Sequence, residues 1–292
     1  GLSREATQIK QRPVAAGRDY TFAAGPIRQS SDDTEPHKIR QGQSIYSARF
    51  SPDAKRFLVG ADDLAAHAFD SKTGLEILTA SMIGRKDLLF DPSRNMFLEG
   101  HISEISTIKF VPPKGELLLS ADYFGSISAW DAIPDENGVG FERSRLFSEY
   151  SFSEFSVSDD GSLILAGGAD STSGNGTLEE AKLLHKGVVW QTEDLLKSPN
   201  PAPFLELKGQ HPNFAITAVA ISPSVSNLVT AGRRGRMVVW NASDATVVAS
   251  ADGRHNNDQV SGIFFESETQ LVSSGYDGKV FRSTIQGREL IV

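Results

Sequence analysis

The chain has 292 residues with 39% hydrophobic and 23% charged side chains, the profile of a globular chain of one or two domains that can bury a full core. The absence of cysteine excludes disulfide scaffolds and thiolate metal sites, and a formal charge of -8 is the wrong sign for a protein devoted to phosphate backbones or anionic membranes. No apolar run approaches the roughly 20 residues that span a bilayer, and GLSREATQIK at the start lacks the apolar core of a secretion signal. With no initiating Met, the chain is expected to be a segment of a longer protein, with room upstream for a signal or anchor.

In chain order, the first candidate unit is the faint PVAAGRDYTFAAG from Pro13, a small-residue strand followed by the turn Arg18-Asp19-Tyr20. It mirrors LVSSGYDGKVF near the C-terminus. Five clearer units begin at Ile45, Ile105, Phe152, Ile216 and Val260. Each pairs a short alternating strand with a turn rich in Ser, Pro, Asp or Glu, then a second strand ending in Ala, Ser or Gly, then a tight polar turn. Alternation with period two predicts β structure. Third strands are predicted in LAAHAFD, SISAWD, GVVWQ, RMVVWN and KVFRS, and fourth strands in GLEIL, PFLELKG and GRELIV. The residue before the first turn recurs as Phe50, Phe110, Val157, Ile221 and Phe265, and with the faint first unit this makes six units, with insertions near residues 81–100 and 170–187. The second insertion, rich in Ser, Gly and Asn, reads as a mobile loop holding one helical turn. Four short strands cannot bury both of their faces, so neighbouring units must stack.

These residues resemble the WD40 repeat family from about Pro13 to the last residue. Gly100-His101 precedes Trp130-Asp131, and Gly209-Gln210-His211 precedes Trp240-Asn241, with the two His-Trp pairs equally spaced. Gly253-Arg254-His255 precedes a unit in which Ser283 stands where Trp is expected. The resemblance implies an all-β propeller of six or seven four-stranded WD40-like blades, one domain over residues 1–292, with the innermost strands lining a channel. It also implies a buried set of His, Ser or Thr, Asp and Trp in each blade, with His101, Trp130, His211, Trp240, His255 and Asp277 as structural members. The Asp of that set is matched by Asp63 and Asp277 but replaced by Phe124 and Arg234.

Catalytic constellations are not apparent in the sequence. There is no Cys and no GxSxG elbow for nucleophilic attack, and the six His are scattered without HExxH spacing. GGADSTSGNGT lacks the GK[ST] ending of a phosphate loop. Asp62-Asp63 and Asp159-Asp160 are predicted to cap turns rather than to bind calcium or act as acid and base. AFDSKTGLEIL, Ala68 to Leu78, resembles the repeat of quinone-cofactor dehydrogenase propellers but has Leu78 where that repeat ends in Trp, and it occurs once. No cofactor and no metal are therefore expected. The function expected is a non-catalytic scaffold that binds a protein or peptide, acidic or phosphorylated, on one face of the ring, with no nucleic acid and no membrane insertion in this segment. The turns expected on that face carry Arg18, Tyr20, Tyr123, Phe124, Arg233, Arg234, Arg236 and Tyr276, residue types that dominate binding hot spots. The alternatives are a cofactor-binding enzyme propeller and a regulatory module of a larger protein.

Overall fold

A computed structural model describes residues 44–61, 66–74, 76–80, 90–91, 96–97, 105–122, 125–131, 142–147, 150–170, 186–197, 201–211 and 215–291. The unit expected at Pro13 lies outside the described residues, as do 81–89 and 171–185 of the two insertions.

Among the described residues, five four-stranded antiparallel units follow one another along the chain, the last two joined into one eight-stranded sheet. The first is β1 (Ile45–Phe50), β2 (Arg56–Ala61), β3 (Ala66–Asp70) and β4 (Glu76–Ala80). A two-stranded ladder, β5 (Phe90–Asp91) with β6 (Met96–Phe97), falls inside the first insertion. The second sheet is β7 (Ile105–Phe110), β8 (Leu117–Asp122), β9 (Ser126–Asp131) and β10 (Glu142–Phe147). The third is β11 (Tyr150–Val157), β12 (Leu163–Asp170), β13 (Gly187–Gln191) and β14 (Leu205–Leu207), with a short helix α1 (Thr192–Lys197) before β14. The fourth is β15 (Ile216–Ile221), β16 (Asn227–Gly232), β17 (Met237–Asn241) and β18 (Val247–Ala251), and the fifth is β19 (Val260–Phe265), β20 (Gln270–Gly275), β21 (Val280–Gln286) and β22 (Glu289–Ile291). The outermost strands of the last two blades also touch in parallel, Ser250 opposite Glu289, with the Ser250 N–H donating to the Arg288 carbonyl at 3.1 Å.

The core lies between consecutive blades, not within them, because each sheet is apolar on both faces. Leu58 and Ala68 of the first blade pack with Ile105, Ile108 and Leu118 of the second. Leu163, Leu165 and Val189 of the third meet Ile216, Val219, Leu228 and Trp240 of the fourth. The small residues that end each second strand have a physical cause here. Gly167 sits under Val219, where an added Cβ would come within 2.7 Å of a Val219 methyl. Gly60 stands in the same relation to Ile105, again at 2.7 Å. Close approach of the next blade therefore selects the small residue.

Each of the five innermost strands is bulged near its start, at the second residue of β1, β7, β15 and β19 and the fourth of β11, and the bulged residue carries a hydroxyl in all five: Tyr46, Ser106, Ser153, Thr217 and Ser261. A bulge re-aims its side chain. Thr217 Oγ1 uses this to donate across the blade boundary to the Val260 carbonyl at 2.6 Å. The five innermost strands surround a cavity of about 650 Å³, lined among others by Arg49, Thr107, Glu154, Thr217 and Ser261.

Candidate partner-binding face

The repeat residues come together as side-chain networks. Trp130 Nε1 donates to Ser120 Oγ at 2.7 Å, and Trp240 Nε1 donates to Thr230 Oγ1 at 2.8 Å. His211 Nε2 lies 2.8 Å from the same Thr230 hydroxyl. In the last blade, His255 Nδ1 contacts Asp277 Oδ1 at 2.9 Å and Nε2 contacts Ser273 Oγ at 2.9 Å. Burial raises the Asp277 carboxyl, but the hydrogen bonds from His255 and from the Lys279 N–H outweigh it and hold the group below the usual carboxylate range. Ser273, His255 and Asp277 reproduce the order of a hydrolytic triad, but Ser273 and His255 are only 2% and 1% exposed, so the arrangement ties strands together. His101 and Asp63 lie outside the described residues.

The acidic turn residues cap backbone. Asp70 Oδ1 accepts the N–H groups of Lys72 and Thr73 at 3.0 and 2.7 Å and the Thr73 hydroxyl at 2.8 Å, and the Thr73 contacts pull its carboxyl below the ordinary range. The Asp-x-x-Thr-Gly string is thus the β3–β4 turn, closed by Gly74 at φ +70. Asp160 Oδ1 accepts from the Ser158 hydroxyl at 2.6 Å and the Ser162 N–H at 2.9 Å. Asp62 and Asp63 fall outside the described residues. Among the described residues, no group of three or more His, Asp or Glu is placed to hold a metal ion, and no helix is long and apolar enough to cross a membrane.

The two turns that carry Arg233, Arg234 and Tyr276 belong to one continuous surface. The β16–β17 turn, Arg233 to Gly235, packs on the β18–β19 loop: the Arg254 N–H donates to the Gly235 carbonyl at 3.2 Å. Gly235, at φ +64, approaches so closely that an added Cβ would collide with the Arg254 backbone. From there the loop continues into His255, Asn256 and Asn257, three consecutive residues at φ 51, 54 and 61. That run costs on the order of 1–2 kcal/mol per residue, and the buried His255 contacts hold it in place. The loop ends at Gln259, whose carbonyl accepts the Tyr276 N–H at 3.0 Å. Arg233, Arg234, Asn256 and Asn257 are exposed, and Tyr276 is 69% exposed.

Arg236 behaves differently from its neighbours. Its Nη1 donates to both Asp252 carboxylate oxygens at 2.5 and 2.6 Å, its Nη2 donates to Gln210 Oε1 at 2.9 Å, and its Nε donates to the Gln210 carbonyl. The guanidinium is spent on building the turn. The sequence reading gave Gln210 only as the spacer of Gly209-Gln210-His211 and missed Asp252, Asn256 and Asn257, which carry no repeat pattern. Arg18, Tyr20, Tyr123 and Phe124 lie outside the described residues.

Five stacked four-stranded blades around an axial cavity define a β-propeller. Residues 203–241 match the family described as WD40: WD domain, G-beta repeat. Curated relatives include the guanine nucleotide-binding protein subunit beta of Oryza sativa subsp. indica, 27% identical over 164 residues, 56% of this chain and 40% of that protein. WD repeat-containing protein 25 of Mus musculus is 25% identical over 118 residues, 40% of this chain and 18% of that protein. Residues 203–241 are thus similar to a WD40 repeat, within a chain folded as a β-propeller. The chain spans 40% or less of the length of those relatives. In fold it is similar to a chain of the solved Mitotic Checkpoint Complex, with a TM-score of 0.62 and 17% identity over 87% of this chain and 64% of that one.

Proposed function

We propose that this propeller is a non-catalytic scaffold that holds a protein or peptide on the face formed by Arg233, Arg234, Asn256, Asn257 and Tyr276. The observation that carries the reading is the continuity of that face. Two exposed guanidiniums and a large exposed aromatic project from turns fixed to each other by backbone contact and a buried His-Asp pair. A surface pre-ordered in this way loses little conformational freedom on association, and Arg with Tyr supplies both bidentate donors and contact area. The relatives' names, a G-protein subunit and a member of a checkpoint complex, are those of proteins that work within assemblies. Two exposed guanidiniums on this face favour an acidic or phosphorylated partner. Tyr123, Phe124, Arg18 and Tyr20 extend the same proposal to turns outside the described residues.

The test is a pull-down from the source cell with the wild type and the triple variant R233A/R234A/Y276A. These side chains are exposed, so the variant keeps its melting midpoint and loses the captured proteins. Equal recovery by the folded variant sinks the assignment of this face.

A further inference from the structure

Charged side chains from three blades meet in the wall of the axial cavity. Arg49 comes from the first blade, Thr107 and Lys109 from the second and Glu154 from the third, while Ala220 and Phe264 of the last two blades add apolar surface. Arg49 and Lys109 hold the same register position, next to last in β1 and β7, and Ser47 and Thr107 stand two residues before them. The two strands are joined at that level, since the Ile108 N–H donates to Ser47 Oγ at 3.3 Å. The repeat itself thus places two cations on neighbouring strands.

This wall leaves polar groups unsatisfied. The Arg49 side chain is only 11% exposed, yet among the described residues its guanidinium makes a single hydrogen bond, from Nη1 to the Ala48 carbonyl of its own strand at 2.9 Å. Nη2 lies 3.6 Å from Glu154 Oε1, beyond hydrogen-bond range, and Nε is buried with no partner. Thr107 is 2% exposed, and its hydroxyl also has no partner. A guanidinium carries five donors, and a buried charge or hydroxyl left unpaired costs stability, so such a pair calls for an acceptor. The other carboxylates on the wall do not supply it: Asp159 is exposed, and Glu266 pairs with Arg282 at 2.7 Å.

We propose that Arg49 and Thr107 hold the oxyanion group of a small organic acid, a carboxylate or a phosphate, inside the axial cavity. The Nε and Nη2 edge of Arg49 makes no hydrogen bond, and it is the edge on which such a group accepts two parallel bonds. The Thr107 hydroxyl donates a further bond, the buried Lys109 adds positive charge to the same wall, and Glu154 steadies the guanidinium without occupying its free edge. The apolar body of the ligand lies against Ala220 and Phe264. A volume of about 650 Å³ is within the range of small-molecule sites. The partner-binding face shares no residue with this wall, so the two proposals stand or fall separately.

The test titrates the full chain with phenylbutyrate, phenyl phosphate and the neutral phenylbutanol, read by saturation-transfer NMR and by thermal unfolding. At about 10 mM, at least one of the two anions is expected to show saturation transfer and to raise the melting midpoint, and phenylbutanol to do neither. Tighter binding of phenyl phosphate assigns the site to phosphate esters, and tighter binding of phenylbutyrate assigns it to carboxylic acids. Arg49→Met combined with Glu154→Gln removes the guanidinium without stranding a carboxylate, and is expected to weaken anion binding about tenfold or more. Thr107→Val deletes a hydroxyl that has no partner, so it is expected to keep the midpoint of the free protein and to weaken anion binding several-fold; it decides the matter if the double variant does not fold. Failure of both anions to bind the wild type, equal binding of phenylbutanol, or wild-type anion affinity in either folded variant overturns the proposal.

Discussion

At the residue scale, the indole N–H of each tryptophan shows how unevenly this chain keeps its repeat. Trp130 and Trp240 donate to Ser120 and Thr230, each two residues beyond the direct cross-strand partner of the tryptophan. Trp190 pairs directly with Ile164, so the equivalent acceptor position is Ala166. Trp190 Nε1 is accordingly buried with no hydrogen-bond partner. An unpaired buried donor costs about 1–3 kcal/mol, whereas a satisfied one contributes about 1 kcal/mol. Ala166→Ser is therefore expected to stabilise the protein by about 1 kcal/mol, read as a higher urea midpoint at unchanged slope. A midpoint that falls would mean that the new hydroxyl is buried without meeting the indole. The last blade carries the opposite defect, Ser283 at the tryptophan position, with its hydroxyl buried and unbonded.

At the element scale, blades are held together by turns as well as by apolar faces. Glu268, in the β19–β20 turn, accepts the Ser224 N–H at 2.6 Å and the Ser226 hydroxyl at 2.9 Å from the β15–β16 turn of the neighbouring blade. Burial pushes the Glu268 carboxyl up, but the Ser224, Ser226 and Ser222 hydrogen bonds push it further down, so its folded value lies below its unfolded one. The contribution is therefore fully present above the unfolded carboxyl range and is lost as pH falls through the lowered folded value. Glu268→Gln is expected to cost about 1 kcal/mol at neutral pH, discounted for solvent access, and to flatten the acid limb of the stability curve. An acid limb that matches the wild type would remove the turn from the account. Gly235→Ala tests the other turn contact: with φ positive and the Arg254 backbone in the way, a loss of about 2 kcal/mol or more is expected. The innermost strands were legible because their apolar alternation is dictated by burial on both sides, and their starts at Ile45, Ile105, Ile216 and Val260 are the observed ones. The outer strands β10 and β18 were not read. Sequences such as ERSRLF lie at blade edges, where one neighbour is enough and alternation is weakly enforced. The helix α1 was also missed, because six residues are too few to show a period.

At the scale of the whole molecule, a chain of net charge -8 presents Arg233 and Arg234 on a turn whose third arginine is already neutralised by Asp252. The sequence placed all three in one basic cluster; the fold separates them, since Asp252 lies 16 residues away and shares no pattern with the turn. Two cations are expected to steer an acidic partner and not to grip it. Exposed pairs are worth up to about 1 kcal/mol each, so R233A/R234A is expected to weaken binding of a fluorescein-labelled phosphoserine peptide by roughly tenfold, mostly through slower association. Salt should have the same effect, because at about 0.5 M the screening length drops below the reach of an exposed side chain. Wild type and variant are then expected to converge in fluorescence anisotropy titrations at high salt while differing at low salt. Arg236→Ala predicts a different pattern: loss of the Gln210 and Asp252 contacts loosens the turn, lowering thermal stability at every salt concentration. A peptide affinity that ignores both salt and the two exposed arginines would mean that the aromatic Tyr276, and not charge, governs recognition on this face.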